Sequence, residues 1–503
     1  MCEHKYLTCL SSPYAAAFPY RTYTTGQLLT AVTGKRKASE NDNSVLAPQV
    51  YPAPLILPGD DIDCDPTYPP QSFREWVNMG VRNQVNSRRN VIYLAATSDV
   101  DDSVDFMRDW QFPTVRGIEK VATTSVLEDR FNIETVAAYL RAFYHGLDVK
   151  ILPQNLMFTS CEDTATSKAR RQGRGAAEDH AKLQHVGLST GREVVRIRAR
   201  PPPPVDAASP SEVFPYPYQL NLNDLTDVSV RVLPSDAYAL VLMTKHDLYE
   251  SDDDDFCCGR AWGASRVAIV SSARYYTALD ELHCVDFNHV WPASHCAAFI
   301  RKMSAESGQV VVPAASNRRK IRSRRYERQD DISTELLSSA TPMPLLRALT
   351  THQQAAHRQQ TPRDQAASAL LFRLCRTVSH ELGHCFGLDH CKYKACVMQG
   401  AASVAEDMRQ PPYLCPVCDR KVAWAITRGA TGGQEDRITN EPRSNKIGGG
   451  TRDEVDVEKW EEKIEVWKRG RSLAVKDFAN LQGGSFAGMA AWYEGMLELK
   501  AAT

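Results

Sequence analysis

The sequence lacks several features that would assign a protein class at once. Its 60 Lys and Arg residues are balanced by 61 Asp and Glu residues, a formal net charge of -1, so no overall positive field attracts nucleic acid or an anionic membrane. It contains no apolar run of about 18 residues that would span a membrane, and residues 1–21 do not form a signal segment. We therefore expect an intracellular protein, in the cytoplasm or the nucleus, with no membrane partner.

Motifs of several enzyme classes are also missing. There is no Gly-x-Ser-x-Gly, no phosphate-binding P-loop and no Gly-x-Gly-x-x-Gly after a predicted strand, so serine hydrolases, nucleotide hydrolases and dinucleotide oxidoreductases have no support. A hydrophobic content of 43% is enough for a folded core. The 14 Cys are spread over 503 residues, which favours reduced thiols or metal ligands over a disulfide framework.

Strand and helix patterns alternate along the chain. Asn132 is a candidate N-cap and Gly146 a candidate C-cap for one helix, and a second helical pattern covers residues 220–233. Short apolar runs predict strands at residues 91–96, 149–152, 194–200, 238–243 and 266–270. Such alternation predicts an α/β fold, a mixed β-sheet covered by helices.

Composition divides the chain into three parts. Residues 1–50 show no sustained periodicity and predict a loosely ordered leader. Residues 51–430 are expected to form the main domain, interrupted by polar, disordered insertions at about 162–190 and 305–365. Residues 431–503 predict a linker followed by C-terminal helices.

The chemically informative segment begins at His380. Because His384 follows four positions later, both imidazoles face the same side of a helix and can hold one Zn²⁺. Glu381 lies one position round, from where it can act as general base toward a water on the metal. Gly387 allows the helix to end and the chain to turn, which brings back His390 as third ligand and leaves a fourth position open. The alternative interpretation is a helix with two solvated histidines.

A cluster of cysteines follows directly. Cys391, Cys396, Cys415 and Cys418 provide four thiolates within 28 positions, the ligand set of a closed, structural zinc site. Adjacent side chains of an extended segment point to opposite sides, so His390 and Cys391 can serve different metals. We therefore expect two Zn²⁺ per chain, one catalytic and one structural. The alternative is a set of buried free thiols.

These residues together resemble the archaemetzincin family of metzincin-type zinc metalloproteases, in which HExxHxxGxxHC is followed by a second Cys, a Met two positions on, and a distal Cys-x-x-Cys. The corresponding positions are His380, Glu381, His384, Gly387, His390, Cys391, Cys396, Met398, Cys415 and Cys418. The resemblance covers roughly residues 50–430, with the two insertions as departures. It implies a metzincin-like mixed sheet, an active-site helix, a small Cys₄ zinc subdomain and a Met-turn at Met398.

The same resemblance implies that one strand borders the cleft and pairs with an extended peptide. Residues 266–270 are the candidate, although an apolar strand inside the sheet would have the same pattern.

We expect a zinc-dependent metallopeptidase that hydrolyses bonds of a peptide or protein substrate, with Glu381 as general base. The alternative is a catalytically weak zinc-binding protein that recruits a protein or nucleic-acid partner. The basic run at residues 318–328 is interpreted as a solvated part of an insertion, so nucleic acid is not an expected ligand. Endopeptidase and aminopeptidase activity, and any oligomeric state, are equally compatible with these residues.

Overall fold

The computed structural model describes residues 4, 6–17, 20–34, 50–97, 99–114, 132–161, 184–201, 214–252, 255–306, 343–357, 361–429 and 452–502. The basic run at 318–328 and most of both predicted insertions lie outside these ranges. Within them, no helix combines the length and apolar character that a membrane span requires.

Helices are labelled here in chain order, with the short ones included. They are α1 Pro13–Ala17, α2 Thr25–Thr33, α3 Asp61–Cys64, α4 Phe73–Val77, α5 Ile133–Phe143, α6 Leu222–Val232, α7 Ala297–Glu306, α8 Pro344–His357, α9 Pro362–Cys385, α10 Val404–Arg409, α11 Pro416–Gly429, α12 Arg452–Gln482 and α13 Ala487–Ala502. Helix α5 begins at the predicted cap, since the Asn132 side chain accepts a hydrogen bond from the Glu134 N–H.

The strands form two sheets. They are β1 Val91–Ala96, β2 Asp99–Val100, β3 Asp148–Ile151, β4 Met157–Thr159, β5 Gln184–Ser189, β6 Val194–Arg200, β7 Gln219–Asn221, β8 Ala237–Thr244, β9 Asp247–Tyr249, β10 Gly259–Trp262 and β11 Val267–Ser271. One sheet has the order β10-β11-β8-β1-β3 and the other β2-β4-β5-β6-β7-β9. Parallel and antiparallel pairs occur in both, so the predicted mixed α/β architecture is confirmed.

The prediction that residues 266–270 form the strand that pairs with substrate is wrong. β11, at residues 267–271, is buried along its whole length and pairs in parallel with β8 on one side and antiparallel with β10 on the other. Both of its edges are therefore already hydrogen-bonded. β10 is the edge strand of this sheet, and the fully apolar composition of β11 reflects an interior strand.

Both predicted insertions include residues that form buried secondary structure. Strand β5 lies within the last residues assigned to the first insertion, with Val186 and Leu188 fully buried. Helix α8 lies within the second, where Leu345 and Leu349 are buried. Polar neighbours on both sides hid these short apolar patterns in the composition of the wider segment.

The described part of the first fifty residues differs from the expected loosely ordered leader. Helix α2 begins with a capping box formed by Thr24 and Gln27 and ends at Gly34, whose φ is 72°. Leu28 and Leu29 are buried in the main hydrophobic core. The short apolar face of α2 orders this segment because the core provides it with a partner.

Helix α9 is fixed on the first sheet through its apolar side. Leu370, Leu374, Val378 and Leu382 recur every four residues and are buried. A buried hydrogen bond adds to this packing. The Tyr144 hydroxyl donates to the Ser379 carbonyl oxygen at 2.7 Å. The C-terminal half of α9 is therefore held against the core.

The C-terminal helices α12 and α13 pack on the rest of the chain and share its largest core. Trp492 of α13 is 1% exposed and stacks on Tyr413 with ring centroids 3.9 Å apart. Its indole N–H donates to the Val50 carbonyl oxygen at 3.3 Å. The predicted C-terminal helices therefore pack with residues of the predicted main domain and of the first fifty residues.

Replacing Trp492 with Ala should lower the free energy of unfolding by about 3–5 kcal/mol, because it leaves a large cavity in the shared core. Denaturant unfolding of the metal-loaded protein would measure this change. Leu481→Ala is the control, since Leu481 is 82% exposed and its truncation should cost less than about 0.5 kcal/mol. Equal stability of the two variants would show that α13 is not part of the core.

Candidate metal centre and active-site cleft

The end of helix α9 sets the position of the site. The Leu388 N–H donates to the Gly383 carbonyl oxygen at 3.1 Å and the Gly387 N–H to that of His384 at 2.9 Å. Gly387 has a φ of 76°, which favours glycine because other residues pay a steric cost there. The chain turns back at this point and carries His390 toward the helix.

Three histidines converge beyond this turn. Their ring centroids are 4.8 Å apart for His380 and His384, 5.1 Å for His384 and His390, and 5.4 Å for His380 and His390. One ligand nitrogen of each lies within 4.8 Å of the others. The structure thus brings together the three histidines predicted as ligands.

The hydrogen bonds of the two helical histidines indicate a cation between them. Nδ1 of His380 lies 2.7 Å from the Val397 carbonyl oxygen, and Nδ1 of His384 lies 2.7 Å from that of Leu388. A carbonyl oxygen only accepts, so each Nδ1 carries the proton and each Nε2 presents a lone pair. The two Nε2 atoms are 3.0 Å apart. Two facing lone pairs at this distance fit a shared metal ion.

The charge state of these rings suits the same ligand. Burial lowers the pKa of His384 to about 4 and the pKa of His380 well below its ordinary value, each further lowered by a neighbouring histidine. Both imidazoles are therefore neutral near pH 7, the form that binds metals.

Glu381 lies in the same cleft, buried to 6% exposure. Burial raises the pKa of its carboxyl to about 8, partly offset by the positive charge of Arg260. The backbone of β10 passes close by: a Cβ added to Gly259 would lie 2.8 Å from Oε1 of Glu381. A larger residue at position 259 would displace the carboxylate, so glycine there leaves it room.

The cleft itself has a volume of about 840 Å³. Its walls include β10, the last turns of α9, the turn after α9 and the N-terminal end of α10. Tyr275 and Thr377 form a hydrogen-bonded pair at 2.6 Å in one wall. This volume lies within the range of ligand-binding clefts in proteins.

Met398 is fully buried against the helix. A Cβ added to Gly383 would lie 2.3 Å from the Met398 sulfur. The thioether therefore packs against the helix at a position where glycine has no side chain. The Cys391 N–H donates to the Met398 carbonyl oxygen at 2.6 Å, which ties this residue to the ligand-bearing turn. The Met-turn assignment remains a prediction.

The four cysteines predicted as ligands form a second cluster. Their sulfur atoms lie within 4.8 Å of one another, all four residues are buried, and the Sγ atoms of Cys391 and Cys415 are 3.5 Å apart. The N–H groups of Cys415 and Met398 donate to Sγ of Cys396 at 3.2 and 3.5 Å. Hydrogen bonds from the other three thiols hold the pKa of Cys391 well below its usual range. Four converging sulfurs, one favoured as thiolate, fit a tetrahedral zinc site.

Three other cysteines line the cleft. Cys257 and Cys258 precede β10, and Cys385 ends α9. Burial raises the pKa of Cys257 to about 12, and those of Cys258 and Cys385 are raised as well, so all three are protonated thiols at neutral pH. The described cysteines are all free of disulfides.

Several cleft residues were not found from the sequence. Asp61, Gly259, Arg260, Tyr275 and Asp407 line the cavity beside the predicted ligands. None belongs to a spaced motif, and the first four lie more than a hundred residues before His380. Only folding brings these residues to the cleft, so the neighbouring sequence does not indicate that they lie there.

Residues 363–423 match the model of the family described as Peptidase family M54. This segment contains both the histidine and the cysteine clusters. Archaemetzincin-2 of Macaca fascicularis is 48% identical over 62 residues, which are 12% of this chain and 17% of that protein. Archaemetzincin-2 of Rattus norvegicus is 24% identical over 358 residues, 71% of this chain and 65% of that protein.

Archaemetzincin of Thermococcus kodakarensis is 47% identical over 53 residues, 10% of this chain and 28% of that protein. The chain thus spans less than two thirds of the length of these relatives. The family model and the relatives confirm the resemblance to archaemetzincins that the sequence motifs predict.

Among solved structures, that of archaemetzincin from Methanopyrus kandleri aligns with 68% of this chain and 98% of its own, at 15% identity and a TM-score of 0.28. That of archaemetzincin from Archaeoglobus fulgidus, complexed with malonate, aligns with 66% and 99%, at 14% identity and a TM-score of 0.24. Both similarities are low.

Replacing Cys415 with Ala should remove one zinc per chain from the purified protein, because three thiols no longer close a tetrahedron. Elemental analysis of the reduced, metal-replete protein would measure the loss. Cys385→Ala is the matched control, since Cys385 is equally buried but lies outside the cluster. Equal zinc contents in the two variants would contradict a Cys₄ site.

Proposed function

We propose that this protein is a zinc-dependent peptidase whose active site is the cleft at the end of helix α9. The observation that carries the proposal is the convergence of three histidine ligand nitrogens within 4.8 Å beside the buried carboxyl of Glu381. The match to Peptidase family M54 over the same segment supports it. Peptides or proteins would accordingly be the substrates.

In this proposal His380, His384 and His390 hold one Zn²⁺, which when bound supplies Lewis-acid activation of a water molecule and of the scissile carbonyl group. Glu381 is displaced by one residue along the helix from His380, so its carboxylate faces the same cleft without joining the ligand set. It accepts the proton that the attacking water loses and passes a proton to the leaving amine.

The environment of Glu381 suits proton transfer in both directions. Burial raises its pKa to about 8, and the charge of Arg260 acts in the opposite sense. A nearby metal cation would lower the pKa further, as any positive charge stabilises the carboxylate. A carboxyl whose pKa is raised by burial and lowered by positive charge gains and loses a proton near neutral pH.

An extended substrate would lie along β10. Among the described residues this strand pairs with β11 on one side only, so the other edge of its backbone is available for a further antiparallel or parallel partner. Gly259, Arg260 and Ala261 of β10 line the same cleft as the end of α9. Main-chain hydrogen bonds to β10 would hold a peptide beside Glu381 independently of its side chains.

The four cysteines would hold a second, structural Zn²⁺. Because Cys391 directly follows His390, a metal on the cysteine cluster fixes the backbone of the turn that presents the third histidine. The two sites are then coupled through one peptide bond.

Replacing Glu381 with Gln should lower peptide hydrolysis by about a hundred- to ten-thousandfold, since the amide keeps the shape but accepts no proton. Turnover of a mixed peptide library, with the zinc content measured in parallel, would show this. Glu281→Gln, at an exposed carboxylate outside the cleft, should behave as wild type. Two zincs with full turnover in Glu381→Gln would refute the general-base role, and two zincs without turnover in the wild type would favour the binding-protein alternative.

Replacing Gly259 with Ala should also lower hydrolysis while both zincs are retained, because the added Cβ would lie 2.8 Å from Oε1 of Glu381 and push the carboxylate aside. The measurement is kcat on the best library peptide. Gly26→Ala serves as control, since no atom lies within 4 Å of its added Cβ. An unchanged kcat in Gly259→Ala would show that the placement of Glu381 against β10 is not needed.

A further inference from the structure

The three histidines differ in what surrounds their outer ring nitrogen. Nδ1 of His380 and of His384 each lies 2.7 Å from a backbone carbonyl oxygen. Nδ1 of His390 instead lies 3.9 Å from Oδ2 of Asp61, and among the described residues no hydrogen bond to the His390 ring is formed. Beside the outer nitrogen of His390 there is thus a carboxylate, where the other two histidines have a main-chain carbonyl group.

We propose that Asp61 is a positioning residue for the metal centre: its carboxylate orients the His390 imidazole and fixes its tautomer. This inference rests on the proposed function, since it gives His390 the role of metal ligand. It assigns a role at the metal centre to a residue from the N-terminal part of the chain, outside the histidine motif.

The position of Asp61 is fixed by a buried network. The Asp61 N–H donates to Oε2 of Glu406 at 2.9 Å, and the same oxygen accepts from the Ala402 N–H at 2.7 Å. The neighbouring Asp60 accepts from Nη2 of Arg409 at 2.5 Å. These contacts join α3 to α10, more than 300 residues away, so the Asp61 backbone has little freedom beside the cleft.

Gly400 shows how closely the carboxylate and the imidazole are brought together. A Cβ added there would lie 2.3 Å from Oδ2 of Asp61 and 2.6 Å from Nδ1 of His390. Both groups therefore pack against the same glycine Cα. Any larger residue at position 400 would force them apart, so glycine at this point is what permits their approach.

The separation of 3.9 Å is short enough for one water molecule to bridge or for a small side-chain rotation to close. Both side chains are about a third exposed, at 39% for His390 and 34% for Asp61, so water reaches the gap. In either case Nδ1 of His390 donates toward the carboxylate, and Nε2 presents its lone pair to the other two histidines. The negative charge also raises the basicity of the ring as a ligand.

The neighbouring cation Lys392 is bound by other groups and does not prevent Asp61 from acting on His390. Nζ of Lys392 donates to the Asp65 carbonyl oxygen at 2.5 Å and lies 5.1 Å from the centre of the Tyr68 ring. Its ammonium is thus engaged at the C-terminal end of α3, while Asp61 Oδ2 lies beside Gly400 and His390.

Zinc affinity tests the proposal without relying on activity. Protein loaded with zinc at the cysteine cluster would be titrated with Zn²⁺ against a chromophoric chelator, for wild type, Asp61→Asn, Asp61→Glu and Asp255→Asn. Asp255 also lines the cleft and loses the same charge, so it controls for a general electrostatic effect. Zinc binding at the histidines of Asp61→Asn should weaken about ten- to a hundredfold, as expected on loss of a carboxylate that orients a ligand histidine. Asp61→Glu should recover part of this affinity.

The outcomes separate the proposal from the function on which it rests. Wild-type affinity in Asp61→Asn, or the same loss in Asp255→Asn, would overturn the positioning role. Loss of the cysteine-bound zinc together with the other would also overturn it, because Asp61 would then act through the fold. A wild-type protein that binds no zinc at its histidines would instead refute the proposed peptidase.

Discussion

The turn that ends helix α9 is the constraint on which the site depends. A helix alone presents His380 and His384 on one face, but a third ligand on the same side requires the chain to reverse within a few residues. Gly387 makes this reversal with a φ of 76°, and the N–H groups of residues 387 and 388 bond to the last turn of the helix. The reversal is fixed at both ends, by the helix before it and by the cysteine cluster after it.

Burial determines the chemistry of the groups that this turn assembles. The histidines are neutral because a charged imidazole is poorly solvated at the end of a buried helix, and the same desolvation raises the pKa of Glu381. A surface helix with an identical sequence would present charged or freely titrating groups. The packing of Leu374, Val378 and Leu382 against the sheet therefore acts on the site as well as on stability.

The sequence predicted local features better than distant ones. The N-cap at Asn132 and the strands β1, β6 and β8 were found because each depends on the residues of its own segment. Whether an apolar strand lies at an edge depends on its neighbours, so β11 was wrongly assigned to the cleft instead of β10. The same limit explains why helix α2 and strand β5 were not separated from polar surroundings.

The sequence by itself determined the histidines and cysteines proposed as ligands, because a spacing of four residues on a helix and two close cysteine pairs are local features. It also indicated the family, through the same positions. The tertiary structure decided which carboxylate, glycine and strand meet those ligands. Asp61 and Gly259 reach the cleft from segments 319 and 121 residues before His380, and only the packing of α3 on α10 and of β10 beside α9 brings them there. Contacts over such separations depend on the whole fold, which no local pattern encodes.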